Sequence, residues 1–90
     1  MVTESREETD WAWVTPRRLQ VLALIANDRT ERQIADELGL SYHTVRSYVE
    51  DLKRFTGQGN MREIRGYWRA AAPRYVAFVA RLAEWGKDGT

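Results

Sequence analysis

The side chains able to do chemistry concentrate in one stretch, ERQIADELGLSYHTVRSYV (Glu31 to Val49), and its continuation to Arg54. If residues 42–56 form a helix, steps of about 100° per residue put His43, Ser47, Glu50 and Arg54 on one face, with Arg46 and Lys53 on its flank. These are hydrogen-bond donors and acceptors without a cysteine nucleophile. The pattern therefore predicts recognition chemistry and not bond making. The chain has no cysteine and one histidine, His43, and it lacks a phosphate-binding glycine loop and paired carboxylates in an apolar setting. An enzyme is not expected. Disulfides and thiolate metal sites are excluded, and no metal, cofactor or small-molecule ligand is expected.

The elements that must position this face can be read from capping signals and apolar spacing. Thr15 before Pro16 reads as a helix start, because the hydroxyl can cap free N–H groups and a proline loses nothing at the first helical position. Val14 and Leu19 flank that cap as a staple pair, followed by Leu22, Ile25 and Ala26 with Val21 beside them. Thr30 and Gln33 form a capping box for a second helix, with Ile34, Ala35 and Leu38 inward and Gly39 at its exit. Ser41 caps the third helix, whose inward positions are Val45, Val49 and Leu52. Asn60 and Glu63 read as another capping box, opening a fourth helix with Met61, Ile64, Trp68 and Ala71 on one face. Pro73 is expected to break or kink it. A fifth helix then carries Tyr75, Phe78, Leu82 and Trp85 in one stripe, with Val79 adjacent. No strand pattern or internal repeat stands out.

The small residue, the glycine and the branched residue of the opening stretch have one joint explanation. Two short helices joined by a three-residue turn must cross closely. Ala35 permits the approach, Gly39 supplies the positive φ of the turn, and Val45 anchors the following helix in the core. That is the skeleton of a helix-turn-helix. It leaves the third helix half-buried with a polar face outward, and a helix of that width fits the major groove of double-stranded DNA. The predicted fold is all-α: a compact, wingless helix-turn-helix bundle of four helices plus an additional C-terminal helix.

Composition sets outer bounds. Ninety residues with 43% hydrophobic content make one small folded domain, with no room for a second one. Net charge is +1, but residues 41–74 hold seven Lys/Arg against three acids, whereas residues 1–10 carry one Arg against four acids. Residues 1–10 are expected to be a disordered acidic tail and not a secretory signal. No run approaches a membrane span, so a cytoplasmic location with no membrane partner is expected.

The segment TPRRLQVLALIANDRTERQIADELGLSYHTVRSYVEDL resembles the DNA-binding domain of the bacterial LuxR/GerE-type regulators, through its TPR start, VLALIA helix, IADELGLS turn and HTVR opening. The resemblance covers about residues 14–65, within an expected domain at 11–72. It implies a four-helix domain with the third helix as reader. It also implies a base or phosphate contact for Arg46; an arginine bridging two guanine acceptors discriminates by roughly 1–3 kcal/mol. The chain departs from the family pattern at Arg18, usually acidic, at Lys53 and Thr56, usually apolar, and at Phe55, usually basic.

Expected base contacts are Arg46, Ser47, Glu50 and His43. Glu50 can accept from a cytosine amino group or pair with Arg46 or Arg54. Expected phosphate contacts are Thr30, Arg32, Ser41, Thr44, Tyr48 and Arg54, with Arg62 and Arg65 extending a basic flank. Trp11 and Trp13 are expected to cover the outer side of the first helix. Residues 73–90, through Tyr75, Phe78, Val79, Leu82 and Trp85, are a candidate dimerisation element or an addition to the monomer core. The resulting expectation is a sequence-specific regulator of transcription acting as a homodimer on double-stranded DNA. The alternative is a helix-turn-helix interaction module that docks on RNA polymerase or another regulator.

Overall fold

The computed structural model describes residues 9–88, with side-chain surroundings for residues 9–84. A 3-10 turn, Trp11–Trp13, leads into four helices: α1 (Pro16–Ala26), α2 (Glu31–Leu38), α3 (Tyr42–Thr56) and α4 (Met61–Asp88). The described residues form no strand, and the architecture is the expected all-α helix-turn-helix bundle. The tail expected over residues 1–10 lies outside the described residues except for Thr9 and Asp10.

Each helix start is held by its predicted cap. Thr15 Oγ1 accepts from Arg18 N at 3.3 Å, and Ser41 Oγ accepts from Thr44 N at 3.0 Å. Thr30 and Gln33 close a full capping box, at 3.1 Å and 2.9 Å. The Asn60–Glu63 pair departs from expectation. Asn60 Oδ1 accepts from Glu63 N at 2.9 Å, but the Glu63 carboxylate reaches back to Gly59 N, also at 2.9 Å, one residue before the cap. Gly39 ends α2 in the left-handed region at φ 67°, and its N–H and that of Leu40 both bond to the Ala35 carbonyl.

The core draws on every helix. Val21, Leu22 and Ile25 of α1, Ile34 and Ala35 of α2, Val45, Val49 and Leu52 of α3, and Ile64, Trp68 and Ala71 of α4 are buried together with Val14. Burying each of the larger aliphatic side chains contributes roughly 1.5–3 kcal/mol. Among the described residues, Thr56 is the one polar side chain that is buried, and its hydroxyl donates to the Leu52 carbonyl at 2.8 Å.

The C-terminal end of α1 is finished by a distant element. Asn27 and Asp28 turn the chain, Asp28 at φ 66°. Arg69 donates twice to the Ala26 carbonyl, at 2.6 and 3.2 Å, and Arg65 donates to the Ile25 carbonyl at 3.4 Å. Both guanidinium groups also face the Asp28 carboxylate, at 2.8 Å from Arg65 and 3.7 Å from Arg69. Two α4 arginines thus occupy carbonyls that have no partner within α1.

Of the break or kink expected at Pro73, the break does not occur. The fourth and fifth predicted helices are one 28-residue helix with Pro73 inside it. An interior proline removes one backbone bond and costs about 3 kcal/mol. Here Pro73 is exposed, so water can solvate the carbonyl left without its helical partner. Trp68 and Ala71 before it and Tyr75 after it pack on the same core, which keeps both sides of the proline in one helix.

A Cβ at Gly39 meets no atom within 4 Å, so replacing this glycine strains only the backbone. Gly39→Ala is expected to cost about 1–2 kcal/mol of unfolding free energy, read from the urea midpoint. No loss at all would place the turn in another conformation.

Candidate nucleic-acid interface

α3 is buried along one stripe only. Val45, Val49 and Leu52 point inward, while His43, Thr44, Arg46, Ser47, Glu50 and Arg54 are exposed. His43, Arg46, Ser47, Glu50, Asp51 and Arg54 border one open concavity along the outer side of the helix. The structure therefore gathers the predicted base-contact residues, together with Arg54, on one accessible surface.

Charge on this surface is partly self-paired. Glu50 takes Lys53 as its partner at 3.1 Å, and not the Arg46 or Arg54 weighed from spacing. Arg54 pairs with Asp51 at 2.5 Å. Arg46 makes no ion pair among the described residues. Both pairs join residues three apart on an exposed helix face, where such contacts are weak and easily exchanged for another anion.

Apart from Arg54, the predicted phosphate contacts and basic flank differ in how free they are. Thr30 and Ser41 are exposed and occupied as caps, and Thr44 accepts from the Ser41 hydroxyl at 2.9 Å. Arg32 is exposed at the start of α2, beside the start of α3. Tyr48 is half-buried and packs against the core, so it offers less free surface than its neighbours. Arg62 is exposed, but Arg65 is turned toward α1 and Asp28, away from the role of a free basic flank.

A clasp of aromatic rings sits beside this face. Trp13 stacks on Phe55 with centroids 4.4 Å apart and planes 13° apart, and the Arg18 guanidinium lies 3.9 Å over the Trp13 ring. Arg18 also donates to the Trp13 carbonyl at 2.7 Å. Trp11 meets Phe55, Trp68 and Tyr75 edge-on at 6.0–6.4 Å. The two tryptophans thus join the end of α3 to α4, beyond the outer side of α1 where they were expected. Arg18 and Phe55, two of the departures from the family pattern, meet on the same ring.

Of the C-terminal stripe, Tyr75 and Phe78 are half-buried, with Tyr75 against Trp11 and Trp68. Val79 and Leu82 are 43% and 47% exposed, and Val76 is 63% exposed. The Trp85 side chain lies outside those described. Among the described residues, no cluster of His, Cys, Asp or Glu is arranged to hold a metal, and no helix is long and apolar enough to cross a membrane.

Tyr42 was missed by the sequence reading. It is 38% exposed at the start of α3, with Arg32 over its ring and its hydroxyl donating to Glu31. A tyrosine eleven residues from a Glu-Arg pair carries no helical-spacing signal. Only the turn between α2 and α3 makes them neighbours.

The sequence model of the GerE family, described as bacterial regulatory proteins, luxR family, matches residues 12–55. The match takes in α1, α2 and nearly all of α3, just under half of the chain, and ends before α4. No curated protein and no solved structure matches the chain.

Since Arg46, Ser47 and Glu50 hold no core contact, Arg46→Ala, Ser47→Ala and Glu50→Gln are each expected to leave stability within about 0.5 kcal/mol. Thermal unfolding followed by circular dichroism checks this. A larger loss would assign the face a structural role.

Proposed function

We propose that this chain, with the LuxR-family match over residues 12–55, is a sequence-specific, double-stranded-DNA-binding regulator of transcription in which α3 reads the major groove. The observation that carries this reading is the one-sided burial of α3: its apolar stripe is in the core, and its polar face is covered by no described segment. An outward face of Arg, Ser, Glu and His matches the donor and acceptor code of base edges. Arg46 is the guanine reader, Glu50 accepts from a cytosine amino group once released from Lys53, and Ser47 and His43 complete the base contacts. Thr30, Arg32, Ser41, Thr44, Tyr48 and Arg54 hold the backbone, fixing register without reading sequence. Work on a chromosome places the protein in the cytoplasm.

Selection of bound duplexes from a random pool is expected to return an enriched site, and Arg46→Ala to lose about 1–3 kcal/mol of preference at one base pair while still binding DNA. Recovery of no preferred sequence would favour a docking role instead, with RNA polymerase or another regulator as the partner.

We further propose that two copies act together through the C-terminal half of α4. Val76, Val79 and Leu82 support this, as an exposed apolar line on a helix whose residues packed on the core end at Tyr75. Tyr75 and Phe78 serve mainly the monomer and only border the pair, and Trp85 extends the same line in sequence. Two reading helices on a two-fold site supply the contact area that one helix lacks. Light scattering across a dilution series is expected to give a dimer that Leu82→Glu converts to a monomer. A monomer at high micromolar concentration in the unaltered chain contradicts the pairing.

A further inference from the structure

Tyr42 is a large ring left exposed on a charged surface, and two α2 side chains hold it. The Arg32 guanidinium carbon lies 4.8 Å from the ring centroid, and the hydroxyl donates to Glu31 Oε1 at 3.1 Å. The ring is fixed through its face and its edge at once. How Arg32 is held matters for what it can still do. A guanidinium carries its N–H donors in its own plane, so stacking on an aromatic face fixes the group without using a donor.

The other arginines that meet a neighbour mostly do the opposite. Arg18, Arg29, Arg54, Arg65 and Arg69 each donate at least one N–H to an oxygen of the chain. Arg74 is held by its face like Arg32, but more loosely, at 6.0 Å over Trp11. Arg32 forms no ion pair among the described residues, and it stands where α2 and α3 both begin. A charged fork fixed in place with its donors unspent is suited to a phosphate, which a guanidinium grips through two parallel N–H bonds.

We propose that Tyr42 is a positioning residue: it stacks beneath Arg32 and presents that guanidinium to the phosphate backbone of the bound duplex. The inference rests on the regulator reading above and adds a sequence-independent part to it. Tyr42 touches α2 on one side and begins the reading helix on the other. It therefore links the placement of α3 in the groove to a backbone clamp on the preceding helix.

The test measures affinity for a labelled duplex by fluorescence anisotropy over a range of salt, with thermal midpoints recorded for every variant. Arg32→Ala is expected to weaken binding to all sequences alike and to lower the slope of log affinity against log salt by about 0.9, the value for one lost phosphate contact. Tyr42→Leu is expected to weaken binding about two- to five-fold on every sequence, the scale of an exposed cation–π contact, with a thermal midpoint lowered only slightly by the loss of that contact and the chain still fully folded at the assay temperature. Tyr42→Phe keeps the ring face and should retain most of the affinity. In the Arg32→Ala background, Tyr42→Leu should cost nothing further. The proposal is overturned if Tyr42→Leu binds like the unaltered chain, if Tyr42→Phe is as weak as Tyr42→Leu, or if the two losses add in the double variant. An unaltered chain that binds no duplex overturns this proposal together with the regulator reading; the other failures touch Tyr42 alone.

Discussion

Burial of the Val45–Val49–Leu52 stripe in the common core is the constraint on which the rest depends. A helix of fifteen residues with this composition is marginal in water, so tertiary burial supplies most of its stability. The same burial sets the rotation of α3 about its own axis. With three positions three or four residues apart pinned inward, the intervening polar residues have one direction left to them. The capped turn at Gly39 then sets the angle at which α2 crosses α3, and Ala35 leaves room for the crossing. Presentation of the polar face is therefore a consequence of where the apolar residues stand, and no separate device is needed to expose it.

α4 makes the frame that keeps this arrangement rigid. Its first half closes the core with Ile64, Trp68 and Ala71, while Arg65 and Arg69 finish the C-terminal end of α1. The aromatic clasp adds a second tie at the far end of α3, where Phe55 lies under Trp13 and beside Trp11. Two departures from the family pattern thus have a common account. Arg18 and Phe55 both gain their contact from Trp13, so a stack of ring and guanidinium occupies positions that are usually charged. Thr56, a third departure, is accommodated by spending its hydroxyl on its own helix.

The outward face of α3 is a balance of opposing charge. Glu50 and Asp51 each hold a cation three residues along, so under the proposed function a duplex would have to compete with those carboxylates for Lys53 and Arg54. The ion pairs are exposed and weak, which makes them exchangeable, whereas Arg32 is held by a contact that leaves its donors unused. Two different ways of ordering a long cationic side chain, one that pairs its charge and one that leaves it unpaired, thus stand within one small domain.

Local signals carried far in this chain. The caps at Thr15, Thr30 and Ser41, the turn at Gly39 and the inward stripes of α1 to α3 depend on spacings of three or four residues, and a helix makes neighbours of residues at those spacings. For the same reason the outward face of Arg46, Ser47, Glu50 and Arg54 was legible without coordinates. What escaped were contacts between residues far apart in sequence, or choices between near-equal local partners. Pro73 reads as a break because its cost is local, while the packing of Trp68, Ala71 and Tyr75 that offsets it is not. Glu50 had two cations at four-residue spacing and took a third at three. Arg65 looked like part of a basic surface until α1 ended beneath it, and Tyr42 had no assigned neighbour until the turn brought α2 alongside. Periodicity encodes which side of each helix faces in; only the packed chain settles which distant side chains meet across those sides, because that choice depends on the relative placement of whole helices, which no single spacing contains.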